Sequence, residues 1–181
     1  KPQDVREKAD AAVQQAGWTG GYHVDADHIH LENVDLFIDC SDFFTLDVAE
    51  AIGQKADDQE IQKFTAQCQK YIGSLEIPTL GQTFTVTEAD LKAIAEKYLF
   101  GVLQAAKIYQ HLVDVKGEGN FITEVSMDET NLPQTPIEMF FILAAIAQQG
   151  IPAQTIAPKF CGEFHKGVDY VGDVAQFDTE F

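Results

Sequence analysis

Apolar positions recur every second residue in some stretches of the chain and every third or fourth in others, and the two periods alternate along it. Asp4 to Ala16 carries a weak helical stripe of Val5, Ala9, Ala12, Val13 and Ala16, stopped by Gly17 and Gly20-Gly21. Tyr22 to Ile29 has the period of a strand, with His23, Asp25 and Asp27 on one side and Val24 and Ala26 on the other. Leu31 to Ile38 predicts a short helix, and Asp42 to Val48 a second strand. A polar stretch leads into a helix over Ile61 to Ile72, and Ile77 to Val86, holding Pro78 and Gly81, reads as an extended connection. Thr87 with Asp90 three residues on is a variant capping box. It opens a helix to about Val113 whose single face is Leu91, Ile94, Ala95, Tyr98, Val102, Ala105, Tyr109 and Leu112. Phe121 to Met127 is a third strand, Thr135-Pro136 starts a helix through Gln149, and Thr155 to Phe160 is a fourth strand. A closing helix starts at Asp173.

Strands separated by helices predict an α/β fold with parallel strands and crossover connections. The carboxyl ends of the four strands share a habit. Asp27 and His28 end the first, Asp47 the second, Asp128 and Glu129 the third and Lys159 the fourth. In (β/α) barrels and open α/β sheets that edge carries the active site. Carboxylates beside an imidazole bind divalent metals and move protons. Four strands are half of a (β/α)8 barrel, so the sheet is open or belongs to a larger fold.

The net charge of -17 argues against nucleic acid and anionic membranes as partners. With 45% hydrophobic residues the chain can bury a core. No apolar run reaches the ~18 residues of a membrane span, and the charged start (Lys1, Asp4, Arg6, Glu7) is unlike a signal peptide. Cys40, Cys68 and Cys161 lie far apart without metal-ligand spacing, which fits small core residues in a reducing, cytoplasmic setting.

Five strings carry a resemblance: His23-Val-Asp-Ala-Asp-His-Ile29, Ser41-Asp-Phe-Phe-Thr-Leu-Asp-Val48, Glu124-Val-Ser-Met-Asp-Glu-Thr130 with Pro133-Gln-Thr-Pro136, Ala157-Pro-Lys-Phe160, and Lys166-Gly-Val-Asp-Tyr170. In this order, through nearly the whole chain, they resemble the tagaturonate epimerase family. The resemblance implies part, about half, of a (β/α)8 TIM barrel that extends beyond both ends of residues 1–181. It implies a metal-dependent enzyme interconverting D-tagaturonate and D-fructuronate in hexuronate breakdown, with relatives acting on neutral ketohexoses. Residue by residue it implies Asp27 as proton acceptor, His28 as a ligand of one divalent transition metal (Zn, Mn, Co, Ni or Fe), and Glu129 as proton donor. The family's further metal histidines are expected downstream.

The chemistry suits those groups. The two uronates differ at a hydroxyl-bearing carbon β to the ketone, whose hydrogen is not acidic. Retro-aldol cleavage and re-addition to the other carbonyl face is therefore the better route. It needs a base, an acid and an electrophile on the ketone. Lys159 is the candidate for the substrate carboxylate, within a basic cluster with His165 and Lys166. Asp47 is read as a substrate or metal contact or a helix N-cap, and Asp25 as orienting a ligand or lining the wall. His23 is read as a hydrogen-bonded core residue and His30 and His111 as structural or surface residues, while Glu124, an acid in mid-strand, needs a partner. Two other readings stay open: a metal-dependent hydrolase on a similar barrel and a non-catalytic acidic cation-binding module. Half a barrel would expose sheet edges, so self-association or membership of a longer polypeptide is expected.

Overall fold

The longest element, α3 (Glu88–Lys116), organises the rest, because all eight positions of its predicted face are buried. Thr87 caps it: the hydroxyl accepts from the Asp90 amide, and the Asp90 carboxylate accepts from the Thr87 amide. A computed structural model describes residues 1–78 and 80–181. Its core lies between α3 with α4 (Pro136–Gln148) and one face of a sheet of four parallel strands: β1 (Asp25–Ile29), β2 (Phe43–Asp47), β5 (Ile122–Ser126) and β6 (Thr155–Ala157). The sheet order β1-β2-β5-β6 follows the chain without reversal.

The pleat sorts the chemistry. Ala26, Ile29, Phe44, Leu46 and Val125 are buried in the core shared with the helices. Asp25, Thr45 and Glu124 occupy alternate positions, so they share the opposite face. At the amino-terminal edge, α1 (Pro2–Ala16) buries none of its residues. It is tied down by Arg6, which donates to the Cys40 carbonyl at 2.8 Å and pairs with Asp42 at 3.1 Å.

Four expectations change. Leu31 to Ile38 forms only a single 3-10 turn, Val34–Leu36, with Leu36 exposed. The Asn33 side chain accepts from the His30 amide, an end donor that no helix hydrogen bond would use. The helix placed at Ile61 to Ile72 is α2 (Asp58–Cys68), followed by a 3-10 turn. The extended connection is instead an antiparallel hairpin, β3 (Gly73–Ile77) with β4 (Gln82–Val86); Thr79, within that connection, lies outside the described residues. The fourth strand is shorter than predicted, since β6 pairs only with β5 and ends at Ala157. The last helix, α5 (Val174–Glu180), starts after Asp173 as expected, and the Asp173 carboxylate caps it.

The three cysteines are free and buried. Among the described residues no helix is long and apolar enough to cross a membrane.

Candidate active site

His28 is the one non-glycine residue with positive φ (51°) among the described residues. Between Ala26 and Ile29 the β1 chain takes three steps against two on β2, from Phe44 to Leu46. This bulge inserts one residue and re-aims it. Without it, strict alternation would turn His28 toward the core, alongside Ala26. With it, Ile29 takes the core position and the imidazole sits at the carboxyl edge of the sheet, half-buried. A bulky residue in the left-handed region is strained, and such strain concentrates at functional sites.

The neighbouring strand supplies the reason for the ring's orientation. Asp47 ends β2, and its side chain is 9% exposed. One carboxylate oxygen accepts from the Ala49 amide at 2.9 Å, and the other lies 3.2 Å from His28 Nδ1. Asp47 thus holds both the first amide of the following 3-10 turn (Ala49–Ala51) and the imidazole. With Nδ1 engaged, Nε2 faces the site, 3.6 Å from an Asp27 oxygen. Burial works against charge on the ring, but the Asp47 hydrogen bond and the fields of Asp27, Asp47 and Asp128 outweigh it and raise the His28 pKa.

The turn behind Asp47 is seated closely on α3. The Gly53 amide donates to the Lys97 carbonyl at 2.7 Å. A Cβ at Gly101 would stand 2.9 Å from Ile52 Cδ1. That approach explains a glycine inside a long helix, where it costs about 1 kcal/mol relative to alanine.

The third strand end contributes Glu129, three residues past β5. It is exposed, with Asp128 turned aside to accept from the Ser126 hydroxyl at 2.6 Å. One donor atom each of His28, Asp47 and Glu129 lies within 4.8 Å of the others. Three donors bound at about 2.1 Å from a common cation can all stand no more than roughly 3.6 Å apart. Imidazole and carboxylate therefore fit a divalent cation in donor type, and in spacing after a closure of about 1 Å. Asp47 lines a groove of about 310 Å³ on one side and Glu129 another of about 500 Å³.

Farther down the same face Thr45, buried, has its hydroxyl 3.3 Å from both Asp25 oxygens and 3.4 Å from Glu124. Its one proton cannot serve both carboxylates. The Asp25 pKa is raised, first by burial and then by Asp27, with Glu124 adding and Thr45 and His28 opposing. Glu124, in mid-strand, shares that one hydroxyl with Asp25. Thr45 was not singled out in the sequence; its position opposite Glu124 in the register is the signal that places it.

Lys159 stands apart from the carboxylate cluster. It lies two residues beyond β6, half-buried, and its backbone bonds to Gln134. His165 is paired with Glu163 at 3.1 Å. His23 is a correction: it is half exposed at the opposite edge, 3.6 Å from Asp42, because it precedes the paired part of β1. His111 pairs with Asp35 at 2.6 Å, which fits its structural reading, and His30 uses its amide to bond Asn33.

The family model for tagaturonate epimerase (UxaE) matches residues 1–181. The chain belongs to the tagaturonate epimerase family. A curated relative, the tagaturonate/fructuronate epimerase of Thermotoga maritima, is 30% identical over 98% of this chain and 38% of its own length. Among solved structures, the native fructuronate-tagaturonate epimerase of Cohnella laeviribosi superposes with a TM-score of 0.77 at 27% identity. A complex of that enzyme with two glycerol molecules gives 0.78 at the same identity. Each comparison covers 95% of this chain and 38% of the solved one. The chain therefore spans well under half the length of the tagaturonate epimerases it matches, and its α/β architecture with a parallel sheet is the part it shares with them.

Proposed function

We propose that the protein containing this chain is a metal-dependent epimerase interconverting D-tagaturonate and D-fructuronate, and that the four parallel strands form part of a (β/α)8 barrel. The observation that carries the reading is the convergence of His28, Asp47 and Glu129 from three successive strand ends, in a member of the tagaturonate epimerase family. The unreversed strand order supports the barrel, since a doubly wound sheet reverses at a switch point.

His28 would hold the cation through Nε2, with Asp47 fixing the ring through Nδ1. A bound divalent cation supplies Lewis-acid polarisation of the substrate ketone. Asp27, 3.6 Å from His28 Nε2, takes the proton of the β-hydroxyl. The bond between that carbon and the α-carbon then breaks, leaving an aldehyde and an enolate. After the aldehyde turns its other face, the bond re-forms and Glu129 returns a proton to the new alkoxide. Lys159 provides the positive charge that an anionic substrate needs against a chain of net charge -17.

The test follows the hydrogen on the inverted carbon. D-fructuronate is supplied to the full-length protein in D2O and the product read by NMR. Retro-aldol chemistry predicts tagaturonate with protium retained at that carbon, because it passes through an aldehyde whose hydrogen does not exchange. Deuterium there would replace the mechanism with direct deprotonation. Absence of tagaturonate would overturn the epimerase assignment.

A further inference from the structure

Gln134 is a polar side chain that is 6% exposed, and it lies in the connection between β5 and α4. Its amide is used at both ends. The nitrogen donates to the Thr130 hydroxyl at 2.9 Å and to the Leu132 carbonyl at 3.2 Å. The oxygen accepts from the Lys159 amide at 2.7 Å, and the Gln134 backbone amide donates to the Lys159 carbonyl at 3.1 Å. Gln134 therefore imitates one more rung of the β5–β6 ladder, beyond the Met127 amide bond to the Ala157 carbonyl at 2.8 Å. Among the described residues, both backbone-directed hydrogen bonds that cross between these two connections past that rung belong to Gln134.

The two segments it joins are those that carry Glu129 and Lys159. On the first side Thr130 also donates to the Met127 carbonyl at 2.9 Å, so the Gln134 nitrogen grips the residue next to Glu129. The far end of the same connection is fixed separately, by Lys97 pairing with Glu138 at 2.8 Å across α3 and α4. A buried amide with its nitrogen and oxygen both satisfied is costly to replace and imposes one geometry. Gln134 touches neither a proton in transfer nor the site's carboxylates.

We infer that Gln134 is a positioning residue that sets the proton donor Glu129 and the substrate-carboxylate partner Lys159 in fixed register across the ends of β5 and β6. This rests on the proposed function, which assigns those two residues their roles. The carboxylate end and the reacting carbon of one substrate must be gripped at once, and misplacement of about 1 Å costs on the order of a hundredfold in rate.

The experiment is a set of double-mutant cycles in the full-length protein, with steady-state conversion of D-fructuronate and melting temperature measured for each variant. Gln134→Met keeps the volume and removes all three side-chain bonds. Gln134→Glu keeps the acceptor for the Lys159 amide and loses the donors to Thr130 and Leu132. Gln134→Met is expected to raise KM and lower kcat, each by about tenfold. Gln134→Glu is expected to lower kcat with KM within about twofold of wild type, since the Lys159 half is kept. In the Lys159→Ala background the KM effect of Gln134→Met disappears and its kcat effect persists; in the Glu129→Gln background the kcat effect disappears. Melting shifts for Gln134→Met with unchanged kinetics, or kinetic effects that multiply fully in both backgrounds, would make Gln134 merely structural and overturn the inference. Wild-type KM in Lys159→Ala and wild-type kcat in Glu129→Gln would instead overturn the functional reading, and the inference with it.

Discussion

The two ends of the same parallel strands treat their carboxylates in opposite ways. At the amino-terminal edge Asp42 accepts from the Val24 amide at 2.7 Å and pairs with the Arg6 guanidinium at 3.1 Å, while Arg6 also donates to the Cys40 carbonyl. The charge there is answered by the one arginine in the sequence. At the carboxyl edge Asp27, Asp47, Asp128 and Glu129 gather around a single imidazole, on a bulge that holds His28 at positive φ. The same residue type is a rivet paired with arginine at one edge and one of several carboxylates around a single imidazole at the other. Function is expected at the carboxyl edge, because an acidic cluster around one strained histidine is poised for a cation and for proton transfer.

Substitutions should separate the edges. The largest effect is predicted for Glu129→Gln and Asp27→Asn in the full-length protein, with kcat falling about 10²- to 10⁴-fold and the melting temperature unmoved. An Asp27→Asn variant that kept most activity would remove it as the base. Asp47→Asn comes next. It should weaken metal binding about 10- to 100-fold by freeing the His28 ring to turn, as measured by competition with a chelator; an unchanged affinity would leave Asp47 only the Ala49 amide to hold. At the other edge Arg6→Met should lower stability by about 2 kcal/mol in chemical denaturation while kcat stays at wild type. A catalytic defect without a stability loss would reverse the contrast.

The smallest effect belongs to Asp25. Its folded-state pKa is raised, so the folded chain holds that proton more tightly than the unfolded one. The resulting stabilisation is complete below the ordinary value of 3.8 and is lost as pH rises through the folded value. Asp25→Asn should therefore be more stable than wild type at neutral pH, by less than about 1 kcal/mol after solvent screening, and the gain should vanish in acid. A variant less stable at neutrality would show that Asp25 has a partner worth more than its repulsion.

The parts of this picture that the sequence carries are those with local causes. The α3 stripe, the Thr87 capping box, the Thr135-Pro136 helix start and the alternation in β1 and β2 each follow from residues within a few positions of one another. The β3–β4 hairpin was less legible, because Pro78 and Gly81 punctuate it like a loop and its pairing is set only when the two runs meet. The strand-end residues Asp27, His28, Asp47 and Glu129 could be placed on one edge from the alternation of elements alone. That Asp47 would turn to His28 Nδ1 depends on the bulge, for which positions 23 to 29 contain no glycine as a cue. Gln134 was hidden because its partner Lys159 is 25 residues away and the bond joins a side chain to a backbone amide.

The most direct test is metal dependence at His28. The full-length protein is stripped with a chelator and dialysed, then titrated with divalent metals while fructuronate conversion and bound metal are read on the same samples. The account predicts that conversion disappears on stripping and returns as about one metal per chain binds. It also predicts that His28→Ala neither binds that metal tightly nor recovers activity. Full turnover after stripping, or wild-type metal content and turnover in His28→Ala, would contradict it.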